Sequence, residues 1–589
     1  MTWFRTRRNI GYNKAMNKVT TEIIGLIEQA CRVAYADCAT NSDVEDSISL
    51  PDQTFGDLAS SVAMRIAAQL ELSPRTVAEK LVESLPESSW VQEVTVAGAG
   101  FINIRLSASA LGALATEMAD WDSKSSLSTL GTGKTVAIDY SHPNIGKPMG
   151  VHHLLSTIIG DAIKRSMRAA GYKVIADNFI GDLGTQFGKL IWAVKQWGDE
   201  ATIAADPITE LQKLYVKFHI ESDADVELDD AGRAEYLKLE QGDAENRKLW
   251  QQIVTWSRAE IQPIYDALGV EFDYMHGESF YEDKMEPILQ RGIDEGVFSE
   301  SQGALVCAAS NQDEPPAILR KSDGATLYLT RDLARIAYWE QSWQPDIMIV
   351  VVDEAQSFAQ RQLYDVAGQL HLTDATLMQV NFGRMRFSDG SMSTRKGNIL
   401  LLKDLLKEAE DRARQLVDDK SHDLTSEERT QAAHILAISS IKYNILSQNR
   451  QSDIVFDWSS MLNFEGNSAP YLTYTLVRLR SLLAKATPHD SSLEQGRQYS
   501  WTEPVERELV LQLAQYQSTF ERAIAEQKPN HIANYAFALA QRYNRLYNSL
   551  PVNQAEGGAR VVRLQLSAAV EMILAHAFDC LGLGVPTKM

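Results

Sequence analysis

The chain has 589 residues, of which 44% are apolar, so it is long enough for three or four domains of ordinary size. It contains no apolar run of 18 residues and no Cys-x-x-Cys pair among its four scattered cysteines, which argues against a membrane span, a zinc ribbon and a disulfide framework, and favours a reducing cytosol. A net charge of −21 argues mildly against a nucleic-acid partner, although phosphate contacts need only a local basic cluster.

The N-terminal segment, residues 1–18, is basic and contains neither Asp nor Glu. It lacks the amphipathic, Ser-rich pattern of a mitochondrial presequence. We therefore expect either a disordered tail or a start codon assigned too early, with Met16 as the true start.

Residues 19–108 have the mixed pattern of a small α+β domain. Apolar residues recur at helical spacing near its start and again over Asp57–Leu70. A further helix is predicted from Ser73-Pro74 to Leu85, and a strand pair around a glycine turn over Val94–Ile104. The Ser/Gly/Thr-rich end of residues 109–134 predicts a linker.

Thr135–Leu190 has the pattern of a strand–loop–helix–strand unit. The apolar run Val136–Ile138 precedes a loop rich in Pro, Gly and Asn, and a helical period follows. Gly171 stands where a left-handed C-cap would end that helix, and Val174-Ile175 begins a second strand. Such a unit is the building block of a parallel sheet.

The loop of this unit carries one lysine, Lys147, and it leads into His152 and His153 at the start of the helix. A helix N-terminus offers unpaired N–H groups and a partial positive charge, and ligands of open parallel sheets bind beyond the carboxyl ends of the strands. These residues form either a seat for polyphosphate or an ordinary turn with two surface histidines.

A second half of the sheet is predicted after a long charged insertion, at about 195–273. Three further strands are predicted, at Leu327–Thr330, Asp346–Asp353 and Val380–Phe387. Asp332 is expected to begin a helix, and Tyr328, four residues earlier, would face the same pocket. Gln356 follows the second of these strands.

Ser388–Asn398 is a polar loop bounded by glycines, with adjacent cations at Arg395 and Lys396. It either closes over a triphosphate and stabilises the leaving pyrophosphate or forms a solvated turn. Residues 404–589 predict a bundle of helices punctuated by prolines. Tyrosines of this region, near several arginines, either stack on unpaired bases or belong to the bundle core.

Several motifs together resemble the signature region of class I aminoacyl-tRNA synthetases, and specifically of arginyl-tRNA synthetases. They are Ser141, Pro143-Asn144 and Lys147-Pro148, then Gly150-Val151-His152-His153, Ser156–Asp161 and Gly181–Gly188. Met392-Ser393-Thr394-Arg395 is similar to the second signature of the class. The first signature of the family is the tetrapeptide His-x-Gly-His. In this chain Gly150 replaces its first His and His152 replaces its Gly. The second signature of the class is Lys-Met-Ser-Lys-Ser, and Ser391 replaces its first lysine.

The resemblance implies a multidomain α/β protein. Its parts would be an N-terminal α+β domain that contacts tRNA (19–108), a Rossmann-like parallel-sheet catalytic domain with an insertion (135–403), and an all-α anticodon-binding domain (404–589). It implies ligation of L-arginine to its tRNA through an arginyl-adenylate, with ATP and Mg²⁺ and without a protein-bound metal. A cytoplasmic monomer without membrane contact is expected.

The resemblance also implies residue roles. Catalysis is expected of Lys147, which would replace the missing lysine, and of His152, His153, Arg395 and Lys396. ATP binding is expected of Gly150, His153, Met392, Ser393, Arg395 and Lys396. Arginine binding is expected of Asp139, Ser141, Asn144, Tyr328, Asp332 and Gln356. Contacts with tRNA are expected of Tyr471, Tyr474 and Tyr547.

Two alternatives remain at this point. The altered signatures are compatible with a synthetase-like protein that binds tRNA without catalysing the reaction. The other alternative is a class I synthetase for another amino acid or a related nucleotidyltransferase. The carboxylates Asp139 and Asp332, which suit a guanidinium group, and the C-terminal helical domain argue against it.

Overall fold

The structure is a computed structural model that describes residues 18–36, 39, 41–49, 51, 55–119, 128–322, 324–388, 401–420, 424–486 and 499–589. The chain divides into two compact units. One comprises Met1–Ser128, Tyr471–Glu526 and His531–Phe578, and the other Thr129–Pro470, Gln527–Asn530 and Asp579–Met589. The predicted basic tail up to residue 17 and the loop residues 389–400 lie outside the described residues.

The N-terminal part of the first unit is an antiparallel sheet with helices, as predicted. Its elements are α1 (Lys18–Tyr35), α2 (Asn41–Glu45), β1 (Ile48–Ser49), β2 (Leu58–Ser60), α3 (Val62–Ile66), α4 (Pro74–Glu83), β3 (Val91–Ala97), β4 (Phe101–Leu106) and α5 (Ala108–Ala119). The strand order is β1-β2-β4-β3. The predicted strand pair and the helix that begins after Ser73 are confirmed by β3, β4 and α4.

Two expectations for this region are wrong. The predicted helix at Asp57–Leu70 contains β2, whose residues pair with β4 in the sheet before α3 begins. The first part of the predicted linker, 109–134, is the helix α5, because its apolar side chains, including Leu111 and Leu114, are buried in a core that the sequence pattern did not reveal.

The second unit contains the parallel sheet and the helices around it. Its elements up to the second sheet half are β5 (Thr135–Asp139), α6 (His152–Ala169), β6 (Lys173–Asp177), α7 (Thr185–Trp197), α8 (Glu200–Ala205), α9 (Pro207–Ser222), α10 (Val226–Glu240), α11 (Ala244–Leu268), α12 (Glu282–Asp294), β7 (Phe298–Ser301), β8 (Ala304–Cys307) and β9 (Ala317–Arg320). The elements α13 (Tyr328–Trp343), β10 (Ile347–Asp353), α14 (Ser357–Gln369), β11 (Thr376–Phe382) and β12 (Met385–Phe387) follow.

The parallel sheet has the strand order β11-β10-β5-β6. Its central strands β5 and β10 are almost wholly buried, as expected for a sheet covered on both faces. Helix α6 packs against the sheet, and Ala137 and Met348 join a core with residues of α12, α13 and α14. The chain leaves β5 toward β6 on one side and reaches β10 on the other, so a ligand crevice is expected at the carboxyl ends of β5 and β10.

The predicted strand at Leu327–Thr330 is wrong. Leu327 is extended, but Tyr328 is the first residue of α13. The hydroxyl of Thr330 donates to the carbonyl of Leu319 in β9, and the apolar residues that follow continue with helical period into the core. The run of apolar residues was therefore the first turn of a helix.

The predicted strand at Val380–Phe387 is two strands, β11 and β12. They separate at Gly383, where a Cβ atom would lie 2.4 Å from the carbonyl oxygen of Ser452. The backbone N–H of Gly383 donates to the carbonyl of Arg450 instead of continuing the sheet. Glycine is required here because another chain segment approaches the backbone closely.

The C-terminal region is helical, as predicted, apart from the short strand β13 (Ile454–Phe456), which pairs with β12. Its helices are α15 (Leu402–Lys420), α16 (Ser426–Leu446), α17 (Trp458–Met461), α18 (Ala469–Ala484), α19 (Pro504–Leu513), α20 (Tyr516–Glu526), α21 (Asn530–Ser549) and α22 (Gly557–Leu581). Helix α22 is long and apolar enough to cross a membrane, but 61% of its apolar window is buried in the fold, as in a core helix.

Candidate functional site

The two histidines lie where the loop after β5 enters α6. His152 is the first helical residue and is exposed, whereas the side chain of His153 is buried and its ring centroid lies 3.9 Å from that of His152. Burial lowers the pKa of His153 to about 3, and the partial burial of the His152 ring lowers its pKa as well. Both imidazoles are therefore neutral at physiological pH, so they can donate hydrogen bonds to a phosphate but do not supply positive charge.

The Nδ1 atom of His153 is buried and has no hydrogen-bond partner among the described residues. A buried polar atom left unpaired costs free energy, so such an atom at a helix N-terminus is suited to a ligand. Gly150, predicted to approach ATP, immediately precedes this turn and forms an antiparallel bridge with Leu401. The chain that follows the second signature loop thus returns to the first signature loop.

Lys147 is held by the insertion. Its Nζ atom lies 4.2 Å from the centroid of the Tyr215 ring on α9, which is a cation–π contact. The neighbouring backbone N–H of Gly146 donates to the Ser257 hydroxyl on α11 over 2.9 Å. Two helices of the insertion therefore fix the loop that carries the lysine.

The hydroxyl of Ser156 connects the ends of the two central strands. Its Oγ accepts from the Ser141 N–H over 3.0 Å and donates to the Val351 carbonyl over 2.9 Å. All three residues are buried, so neither backbone group has water available as a replacement partner.

We expect Ser156→Ala to lower the free energy of unfolding by about 1–3 kcal/mol, because it leaves a buried N–H and a buried C=O unpaired. Chemical denaturation monitored by fluorescence measures this change. Ser426→Ala, at the start of the exposed N-terminus of α16, serves as a surface control. An unchanged midpoint for Ser156→Ala would contradict the bridging role.

The residues after β5 have an unusual backbone. Ser141 and His142 have φ angles of +84° and +52°, in the left-handed region that side chains other than glycine rarely adopt. The Ser141 hydroxyl is buried and lies within hydrogen-bond distance of Thr157 Oγ1 (2.8 Å) and the Tyr265 hydroxyl (2.7 Å). Ser141 therefore shapes the loop, and its hydroxyl is not turned toward a ligand.

Asp139 and Asp332, both predicted to bind arginine, are brought together by Arg335. Arg335 Nη1 donates to Asp139 Oδ2, and Nη2 lies 2.9 Å from Asp332 Oδ1. Asp139 is fully buried, and its Oδ1 accepts from the Phe179 N–H over 3.2 Å. His142 Nε2 lies 2.8 Å from the same oxygen. Arg335 was missed in the sequence because its neighbours in the chain do not reveal its partners.

Glu278 is a third carboxyl group at this site; it is buried, and no sequence motif pointed to it. Its Oε2 lies 3.4 Å from Arg331 Nη1. Burial raises the pKa of Glu278 to about 7, against the opposing charge of Arg331. Electrostatic interactions link Glu278 to Asp332, Asp332 to His142, and His142 to His153. The carboxylates and the histidines therefore lie in one region of the structure. No local sequence pattern indicated that these residues interact.

The other predicted arginine-binding residues lie at the surface of this region. Tyr328 is 68% exposed at the first turn of α13, and Asn144 is exposed beside Gly181, with which it forms a bridge. Gln356 is exposed in the short helix Glu354–Gln356 that follows β10. Met392, Ser393, Arg395 and Lys396 lie outside the described residues.

The predicted tRNA-contacting tyrosines cluster around an arginine in the first unit. The Arg478 guanidinium lies 5.4 Å from the Tyr474 ring centroid and 4.4 Å from that of Tyr547, and both tyrosines are exposed. Asn544 Nδ2 donates to the Tyr471 hydroxyl over 2.8 Å. This set offers rings and a cation together, the combination that binds unpaired bases.

Family models match almost the whole chain. Residues 121–458 match "tRNA synthetases class I (R), catalytic domain", residues 472–589 match "DALR anticodon binding domain", and residues 21–106 match "Arginyl tRNA synthetase N terminal domain". Among the described residues, no three His, Cys, Asp or Glu side chains are grouped to hold a metal ion.

Known proteins agree with these matches. The arginine–tRNA ligase of Fusobacterium nucleatum is 36% identical over 91% of this chain and 94% of its own length, and that of Chloroflexus aggregans is 38% identical over 91% and 93%. The Thermus thermophilus arginyl-tRNA synthetase structure superposes with a TM-score of 0.78 at 24% identity, over 97% of this chain and all of that one, which establishes the fold. The chain therefore belongs to the arginyl-tRNA synthetases, class I enzymes that use ATP to join arginine to its tRNA.

Proposed function

We propose that arginyl-adenylate forms at the carboxyl ends of β5 and β10. Arginine's carboxylate attacks the α-phosphorus of ATP and pyrophosphate leaves. A hydroxyl of the terminal adenosine of tRNA then attacks the arginyl carbonyl and AMP leaves. No protein nucleophile is required, so the residues contribute positioning and stabilisation of phosphate charge. This proposal rests on the position of His153. Its ring is buried, its Nδ1 is unpaired, and it lies in the same region as the carboxylates.

In this proposal, positive charge for the polyphosphate comes from Lys147, Arg395 and Lys396. His153 donates a hydrogen bond as a neutral imidazole, with His152 beside it, since burial keeps the pKa of both rings low. Gly150, Met392 and Ser393 complete the ATP site. Mg²⁺ enters with ATP as part of the substrate and neutralises phosphate charge there.

The arginine pocket is proposed to read the guanidinium group with Asp332 and Glu278. Tyr328 and Gln356 line it, and Asn144 holds the α-amino and carboxylate end. Asp139 and Ser141 support the pocket from behind, because their polar atoms are already engaged within the protein. A guanidinium presents several N–H donors in a plane, which suits two carboxylates better than the point charge of lysine does.

Recognition of tRNA is proposed at both ends of the chain. Tyr474 and Tyr547, with Arg478 between them, would stack on unpaired anticodon bases, and Tyr471 would be oriented by Asn544. Residues 19–108 would contact the tRNA body. The catalytic domain is proposed to comprise residues 135–403 and the anticodon-binding domain residues 404–589, as expected from the sequence. We propose a cytoplasmic monomer that does not bind membranes. No finding favours the inactive alternative.

The pH dependence of arginine binding tests the pocket. Because burial raises the pKa of Glu278 to about 7, this carboxyl is mostly neutral below that pH and cannot attract a guanidinium. Burial also raises the pKa of Asp332, the second carboxyl of the proposed pocket, to about 7. A group of this pKa is about 90% ionised at pH 8 and about 10% at pH 6, so we expect KM for arginine to rise by a factor of about ten or more as pH falls between these values. Arginine-dependent ATP–pyrophosphate exchange at saturating ATP and tRNA measures it.

Glu278→Gln is the matched control for this titration. The amide cannot ionise, so the variant should have a raised KM for arginine at pH 8 and a weaker pH dependence that reports Asp332 alone, while KM for ATP stays near that of the wild type. A wild-type KM for arginine that is flat between pH 6 and pH 8 would contradict the assignment of Glu278.

A further inference from the structure

Arg335 is a buried cation paired with Asp332 of the proposed arginine pocket, although the substrate itself supplies a guanidinium group there. Its side chain is 2% exposed. The centre of its guanidinium lies 4.9 Å from the Phe179 ring centroid and 5.3 Å from that of Trp339, so aromatic rings confine the group. Burial lowers the pKa of Arg335 to about 10, which leaves it charged at neutral pH.

The two carboxylates that Arg335 contacts are in different situations. Asp139 is fully buried and uses both oxygens within the protein, Oδ2 with Arg335 and Oδ1 with the Phe179 N–H. The side chain of Asp332 is 19% exposed, and the ion pair with Arg335 engages its Oδ1. Asp332 can therefore meet a substrate while it remains attached to Arg335, and Asp139 cannot.

We propose that Arg335 is a positioning residue for arginine recognition, whose guanidinium is anchored on Asp139 and holds Asp332 in the orientation that receives the guanidinium of the substrate. This inference rests on the proposed function, in which Asp332 binds that group. The planar fork of an arginine can engage two carboxylates at once with fixed geometry, which a lysine ammonium cannot reproduce. Arg335 is thus expected to determine the affinity for arginine without contacting it.

A simpler role would be charge neutralisation of the buried Asp139. The two roles predict different KM values for arginine in the double variant Asp139→Asn with Arg335→Ala, which removes both charges together. If Arg335 only neutralises Asp139, this variant should recover a normal KM for arginine. If Arg335 orients Asp332, the variant should fold and still bind arginine poorly.

The experiment measures KM and kcat of arginine-dependent ATP–pyrophosphate exchange, with tRNA present, for the wild type, Arg335→Lys, Arg335→Ala and the double variant. Misplacing a group by about 1 Å can cost on the order of 10²-fold, and we expect KM for arginine to rise by this factor in Arg335→Lys and in the double variant. KM for ATP should stay unchanged. The double variant keeps the test valid if Arg335→Ala, with two unpaired carboxylates, does not fold.

Chemical rescue separates positioning from general structural damage. Millimolar guanidinium chloride, far below denaturing concentrations, should lower KM for arginine in the double variant by refilling the space between the Phe179 and Trp339 rings. Tetramethylammonium chloride at equal concentration is the ionic-strength control and should not lower KM for arginine in the double variant. In the wild type, guanidinium should only inhibit, because it competes with arginine.

A double variant with normal KM for arginine would overturn the positioning role. Equal rises in KM for arginine and ATP that guanidinium does not reverse would overturn it as well. Asp332→Asn distinguishes this failure from failure of the proposed function. If Asp332→Asn raises KM for arginine and the Arg335 variants do not, the inference on Arg335 fails alone, and if Asp332→Asn has no effect, the proposed pocket fails with it.

Discussion

Replacing His153 with alanine is expected to slow arginine-dependent ATP–pyrophosphate exchange by about 10²–10³-fold, the usual loss when one donor to developing charge is removed. The ring of His153 is buried at the N-terminus of α6, and its Nδ1 has no partner among the described residues. Because burial lowers the pKa of His153 to about 3, the loss concerns a hydrogen bond and not a charge. KM for arginine should change little, since the carboxylates remain.

His152→Ala is the matched control, because it removes the neighbouring imidazole from an exposed position on the same helical turn. We expect a smaller loss for His152→Ala than for His153→Ala. His153→Asn, which retains a side-chain N–H donor, should lie between alanine and the wild type. Assays with and without tRNA would show whether activation requires the bound tRNA. A larger loss in His152→Ala would mean that His152 has taken over the phosphate contact.

Asp332→Asn is expected to raise KM for arginine on the order of 10²-fold with a small change in KM for ATP. Removing one partner of a buried charge pair costs about 3–5 kcal/mol. We take the lower end because Asp332 is partly exposed, and each 1.4 kcal/mol corresponds to about a factor of ten in affinity. Steady-state exchange at varied arginine concentration measures the effect.

The exposed carboxylate Glu300 on β7 provides a control for this variant, because Glu300→Gln removes one negative charge away from any buried ion pair. Thermal unfolding of both variants separates loss of binding from loss of folded protein. If Asp332→Asn binds arginine as the wild type does and is equally stable, Asp332 is not part of the arginine pocket.

Sequence patterns predicted an element correctly where neighbouring residues alone determine its conformation. The period of apolar residues predicted α6, and short apolar runs predicted the strands β5 and β6. Gly171, with φ of +87°, ends the helix region as predicted. The position of His152 and His153 at the helix start followed from the same pattern. The errors arose where local pattern is ambiguous, as at Leu327–Thr330, where a short apolar run suits a strand and the first turn of a helix equally well.

The sequence by itself determined the family, the parallel-sheet unit and the residue types for polyphosphate and guanidinium, because motifs and periodicity are properties of neighbouring residues. Only the tertiary structure decided how those residues are used. Asp139 and Arg335 are 196 positions apart in the chain, and Arg331 and Glu278 are 53 apart, yet each pair is in contact. Such pairs are created when strands, helices and the insertion pack together, and the burial that results sets whether an imidazole is charged and whether a carboxylate is free for the substrate.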